Sequence, residues 1–156
     1  MRIVFFGTPA FALPTLKALH EAGEDIVGVV TQPDRRKGRH RSLSAPPVKQ
    51  FAGRNRMKVL QPFTITQPSF IDELTGMMPD VIVVVAYGKI LPSDVLRLPG
   101  NGCINVHASL LPKYRGAAPV QWAIINGERK TGVTIVQMDF TPGHIRAQTS
   151  TPPLGL

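Results

Sequence analysis

The run Val81-Ile82-Val83-Val84-Val85 places five apolar residues in a row, each branched at Cβ. Such a segment suits a strand covered on both faces, since β-branched side chains pack well on pleated backbone and neither face is left for water. Ile3 to Phe6, Ile26 to Val30 and Ile104 to Val106 share this character. Val133 to Val136 makes a fifth run after the helix-like segment Val120 to Ile125, and Met57 to Leu60 adds a short sixth. Short apolar strands alternating with helical stretches predict an α/β fold, an open and mostly parallel sheet with helices on both faces.

After the first strand, Gly7-Thr8-Pro9 breaks the chain, and Leu13, Leu16 and Leu19 then fall on one helical face that ends near Gly23. A helix starting near Phe11 keeps Pro14 in the first turn, where a missing N–H does no harm. A strand, a glycine turn and a helix can open a nucleotide-binding fold. The G-x-G-x-x-G pattern is absent, however, which speaks against a dinucleotide site. With 156 residues, 43% of them hydrophobic, the chain suits one core rather than two ordinary domains. Cys103 is the single cysteine, so neither an internal disulfide nor a paired-cysteine metal site is expected, and a reducing, cytoplasmic setting fits. The apolar start is cut at Gly7-Thr8-Pro9, too early for a signal peptide, and no membrane-spanning run is expected.

The net charge of +8 is unevenly placed, because Pro33 to Arg41 holds five basic residues against the acid Asp34. Two readings stay open for this cluster: a contact for a polyanion, favoured by counterion release, or a solvated, mobile loop. Gln32 to Pro47 has no apolar periodicity and is expected to be a long exposed loop; loops of that length are usually functional or disordered. Thr141 to Leu156, with Pro142, Pro152, Pro153 and two glycines, is expected to be an irregular tail.

Chemistry concentrates after Ile104. Asn105 and His107 alternate with Ile104 and Val106, so a strand carries both polar side chains on one face. At the carboxyl end of a strand in an open parallel sheet, that face meets the ligand crevice. An amide beside an imidazole suits acyl transfer, the amide stabilising an oxyanion and the imidazole supplying a proton or a positive charge. The alternative is that both side chains only satisfy buried backbone groups.

The segment from Asn105-Val106-His107-Ala108-Ser109-Leu110-Leu111-Pro112-Lys113-Tyr114-Arg115-Gly116 through Ala117-Ala118-Pro119-Val120-Gln121-Trp122 to Asn126-Gly127-Glu128 closely resembles the signature of methionyl-tRNA formyltransferases. Phe6-Gly7-Thr8-Pro9, Thr31-Gln32-Pro33-Asp34-Arg35 and Ala86-Tyr87-Gly88-Lys89-Ile90-Leu91-Pro92 match in order, so the resemblance covers roughly residues 1 to 139. It implies a Rossmann-like formyltransferase fold and transfer of a formyl group from 10-formyltetrahydrofolate to the amino group of initiator methionyl-tRNA, without metal. Asn105 and His107 would match two members of an Asn, His and Asp catalytic set. Ser109, Leu110, Leu111 and Pro112 would line the folate site, and Tyr87, Gly88, Ile90, Leu91 and Pro92 would receive the pterin. Arg35, Arg36, Lys37, Arg39 and Arg41 would hold the tRNA acceptor arm, mainly through phosphates.

The match weakens after Met138-Asp139, where the family continues through an acidic loop carrying its catalytic Asp. Phe140-Thr141-Pro142-Gly143 stands here, with Thr141 at the Asp position. A carboxylate near an imidazole favours its charged form and orients it, so its loss implies slow turnover. The domain expectation is therefore a catalytic domain over 1–139, incomplete on its C-terminal side, and a divergent tail over 140–156. The family's smaller barrel-like domain is not among these residues. Two alternatives stay open, a formyltransferase or deformylase acting on another acceptor, and a non-catalytic folate- or tRNA-binding remnant.

Overall fold

A computed structural model describes residues 1–37, 42–138 and 144–151. The chain forms two compact units, Met1–Cys103 and Ile104–Leu156. The first contains strands Arg2–Gly7 (β1), Asp25–Val30 (β2), Arg35–Lys37 (β3), Ser42–Ser44 (β4), Val59–Leu60 (β5) and Val81–Val85 (β6). Its helices are Leu13–Glu21 (α1), Pro47–Arg54 (α2), Pro68–Gly76 (α3) and the single turn Ser93–Leu96 (α4). Strand Cys103–His107 (β7) leads into the second unit, which continues with helix Pro119–Ile125 (α5), strand Thr131–Met138 (β8) and strand His144–Thr151 (β9).

Strands of the first unit run in the order β5-β2-β1-β6, every pairing parallel. Val4, Phe5 and Phe6 are fully buried in succession, as are Val29 and Val30, so both faces of the sheet are covered. That is why these strands are unbroken apolar runs rather than alternating ones. α1 starts at Leu13 after a short 3-10 turn at Ala10–Ala12, with Pro14 in its first turn. Leu16 is fully buried between the half-buried Leu13 and Leu19. Gly23, at φ +74°, then ends the helix as the spacing predicts, its N–H donating to the His20 carbonyl. α2, α3 and α5 each begin at a proline, which is well placed at a first helical position.

Order β1 between β2 and β6 puts a topological switch at the carboxyl ends of these strands. Three hydrogen bonds lash that end together. Thr8 Oγ1 donates to the Tyr87 carbonyl at 3.1 Å, Gln32 Nε2 donates to the same oxygen at 3.2 Å, and the Gln32 N–H donates to Thr8 Oγ1 at 3.4 Å. The Gly7-Thr8-Pro9 and Thr31-Gln32-Pro33 motifs therefore fasten strand ends here.

Two expectations are corrected. Gln32 to Pro47 is not a structureless loop, because β3 and β4 pair antiparallel with Arg36 opposite Leu43, and α2 begins at Pro47. Arg35, Arg36 and Leu43 are exposed, so this hairpin rests on backbone hydrogen bonds and shows no apolar alternation in sequence. Nor is the C-terminal stretch irregular throughout. β9 pairs antiparallel with β8 from Thr131 opposite Thr151 to Gln137 opposite His144, with one irregularity at Ile135/Val136. Its 148–151 portion is polar and exposed, the composition of an edge strand. No helix among the described residues is long and apolar enough to cross a membrane.

Candidate active site

β7 carries Asn105 and His107 two residues apart, both half-buried. His107 Nε2 lies 3.0 Å from the backbone carbonyl oxygen of Tyr114. A carbonyl only accepts, so Nε2 carries the proton in this contact. Nδ1 is then the ring position open to another partner, a lone pair in the neutral ring and a second N–H in the imidazolium. Among the described residues no hydrogen bond engages the Asn105 amide.

The loop after β7 is held from beneath by Thr134, a fully buried residue of β8. Its hydroxyl donates to the Ser109 carbonyl at 2.6 Å and accepts from the Leu111 N–H at 3.2 Å and from Gln148 Nε2 at 2.8 Å. Gln148 Nε2 also donates to the Leu111 carbonyl at 3.1 Å, which ties β9 into the same network. Leu111-Pro112 is a cis peptide bond. Ser109 is 1% exposed, and its Oγ donates to the Lys113 carbonyl at 2.8 Å. Its hydroxyl thus holds the loop together.

Beside this loop lies a cleft of about 300 Å³, with Leu110, Leu111 and Pro112 on its apolar side and Lys113, Tyr114, Glu128 and Lys130 among its polar residues. Lys113 Nζ and the Tyr114 hydroxyl both reach Glu128 Oε1, each at 2.8 Å. Those two hydrogen bonds, Lys113 first, hold the Glu128 carboxyl below its usual range, and Glu128 in turn raises the Lys113 ammonium.

Of the proposed pterin residues, Tyr87 and Leu91 belong to the core of the first unit, and Gly88 and Ile90 to its surface. Tyr87 packs edge-on against Phe6 at 5.1 Å, and burial pushes its phenol up to about 12. Pro92 is half-buried and caps α4. Arg35 and Arg36 stand exposed on the β3 strand, and Lys37 ends it. Asp34, just before them, accepts both oxygens' worth of bonding from Lys49 Nζ at 2.8 and 2.7 Å, and Gln61 Nε2 at 2.7 Å. The hydrogen bonds from Gln61 and then Lys49 hold its carboxyl below the usual range. Arg39 and Arg41, like Asp139 and Thr141 of the acidic-loop question, lie outside the described residues.

Tyr114, Glu128, Thr134 and Gln148 were not singled out from sequence. Only Thr134 carried a readable signal, a polar residue inside an apolar strand run.

The formyl transferase family profile matches residues 1–152. A methionyl-tRNA formyltransferase of Caldanaerobacter subterraneus subsp. tengcongensis is 60% identical over 140 residues, 89% of this chain and 45% of that protein. One from Citrifermentans bemidjiense is 56% identical over 154 residues, 97% of this chain and 48% of that protein. The chain spans about half the length of the curated relatives it matches. In fold, it is similar to the phosphoribosylglycinamide formyltransferase of Bacillus halodurans, with a TM-score of 0.77 at 21% identity over 97% of this chain and 80% of that one. A formyltetrahydrofolate deformylase of Pseudomonas syringae pv. tomato gives 0.70 at 19% identity, over 96% of this chain and 50% of that one.

Proposed function

Because the chain belongs to the formyl transferase family, we propose that it supplies the folate-binding and catalytic part of a methionyl-tRNA formyltransferase, moving a formyl group from 10-formyltetrahydrofolate to the amino group of initiator methionyl-tRNA. The observation that carries this reading is His107, with Nε2–H committed to the Tyr114 carbonyl and, among the described residues, no partner at Nδ1, two residues from an Asn105 amide that is likewise unengaged among them. Identity of 60% to a protein of that name supports the acceptor.

The donor supplies a formyl carbon on a nitrogen that can leave. Part of the folate is read as lying along the cleft, where Leu110, Leu111 and Pro112 offer apolar surface and Lys113, Glu128 and Lys130 offer polar groups, within the volume range of small-ligand sites. As the amine attacks the formyl carbon, the oxygen gains negative charge, and the Asn105 amide donates to it. His107 takes at Nδ1 the proton the amine brought, meets the same charge as the imidazolium so formed, and passes that proton to the departing nitrogen as the bond to it breaks. Ordering both reactants in one crevice supplies the remainder by orientation.

Arg35 and Arg36, exposed on the β3 strand and anchored by the Asp34–Lys49 pair, are read as phosphate contacts for the tRNA, together with Lys37, Arg39 and Arg41. Transfer is proposed to be slow relative to longer relatives, since Thr141 stands where the family places its carboxylate.

A formyl-transfer assay with methionyl initiator tRNA and 10-formyltetrahydrofolate tests the whole reading. Asn105→Ala and His107→Ala should each lower kcat by about a hundredfold or more. Folate and tRNA binding without transfer would instead identify a binding remnant. Steady-state formylation as fast as a full-length relative's would refute the slow-turnover part. Arg35→Ala with Arg36→Ala should weaken tRNA binding and flatten its salt dependence by about two units of slope or less.

A further inference from the structure

The carbonyl that accepts the His107 Nε2–H hydrogen bond belongs to a residue in an unfavourable conformation. Tyr114 has φ +56°, in the left-handed region that a Cβ disfavours. A conformation of that kind persists only where its surroundings hold it. Three ties do so here. Ser109 Oγ, buried, holds the carbonyl immediately before Tyr114. Lys113 is bound through its ammonium to Glu128 Oε1. The Tyr114 hydroxyl donates to that same oxygen at 2.8 Å and accepts from Asn126 Nδ2 at 3.1 Å.

Glu128 is itself well placed to act as an anchor. α5 closes with Gly127 at φ +64°, the Gly127 N–H donating to the Ile124 carbonyl and the Glu128 N–H to the Ala123 carbonyl. This closure sets the Glu128 backbone directly after the helix, and its side chain reaches across 14 residues of sequence to Tyr114. We propose that Glu128 and the Tyr114 hydroxyl are positioning residues. They hold the Tyr114 carbonyl against His107 Nε2 and thereby fix the imidazole in the Nε2–H tautomer, with Nδ1 presented for reaction. Neither residue is required to touch a reacting atom. The consequence for catalysis rests on the formyl-transfer reading; the tautomer itself does not.

Long-range proton–nitrogen NMR on the chain labelled with ¹⁵N-histidine reads the tautomer directly at about pH 9, above the ordinary imidazole range. The sequence has four histidines, and the His107 signals are those lost in His107→Gln. The wild-type chain should show a single Nε2–H pattern for His107. Glu128→Gln, which keeps an oxygen for the Tyr114 hydroxyl, should retain it. In Glu128→Ala and Tyr114→Phe the Nδ1 and Nε2 resonances should move toward each other as two tautomers exchange, with the other histidine signals in place. A wild-type pattern in both variants would overturn the proposal. Should Glu128→Ala fail to fold, Tyr114→Phe decides alone, because it removes one oxygen and leaves the ring. A wild-type chain that shows the tautomer but transfers no formyl group would sink the functional reading and leave this one standing.

Discussion

Thr134→Val keeps the shape of a fully buried side chain and removes its hydroxyl, and with it three hydrogen bonds. The Gln148 amide, on an exposed residue, can turn to water. The Ser109 carbonyl and the Leu111 N–H have no such recourse while the loop stays in place. A buried polar group left unpaired costs about 1–3 kcal/mol, so the two together should cost about 2–5 kcal/mol. For a domain of this size that lowers Tm on the order of 10 °C. Thr134→Ser keeps the hydroxyl and loses one buried methyl, at about 1 kcal/mol. Serine should therefore be the more stable of the two variants, the reverse of the order set by apolar volume alone. Urea unfolding followed by circular dichroism gives both values, with the midpoint moving and the slope unchanged. Accelerated hydrogen exchange at the Leu111 amide should accompany the loss in the valine variant. If valine equals or exceeds serine in stability, Thr134 does not hold the Ser109–Pro112 loop as described.

Gly132→Ala builds a Cβ into the Thr149 carbonyl oxygen and 2.6 Å from Leu110 Cδ2, so β9 must shift away from β8. A loss of about 2 kcal/mol or more in the same unfolding assay is expected, and a neutral result would contradict the β8–β9 pairing. Tyr87→Phe removes a buried hydroxyl without a hydrogen-bond partner among the described residues; stability should hold or rise by about 1 kcal/mol, and a loss of that size would mean the hydroxyl has a partner. The Cys103 thiol is buried and pushed up to about 12, so a thiol reagent at neutral pH should label it only as fast as the protein opens, and instant labelling would refute its burial. Asp34 has a folded pKa below its unfolded value, so its contribution is fully present above about pH 3.9 and is lost as pH falls through the lower folded value. Asp34→Asn should abolish that portion of the acid dependence of stability, and an unchanged acid limb would rule the pair out as an anchor.

The four-strand parallel core was legible because its physical cause acts locally. A strand covered on both faces must be apolar at every position, and Val81–Val85 has that form without reference to any other residue. The single-face helix Leu13, Leu16 and Leu19 and the placement of Asn105 with His107 follow from backbone periodicity in the same way. The β3–β4 hairpin and β9 were not legible, since neither buries a side-chain face that could impose a pattern; β9 exists by backbone pairing with β8. α2 and α3 were not among the expected elements; each buries only one i, i+4 pair, Val48 with Ala52 and Phe70 with Leu74, too short a pattern to stand out.

Sequence by itself determined the parallel α/β framework, the strand that bears Asn105 and His107, and the family resemblance. Which nitrogen of His107 binds the backbone was decided by tertiary structure alone. The Tyr114 carbonyl points at Nε2 because Ser109, Glu128 and Asn126 hold a left-handed residue in place, and Thr134 secures the loop from the next strand. Hydrogen bonds between residues 14 and 25 positions apart leave no periodic trace in a chain; they exist only once the elements have packed.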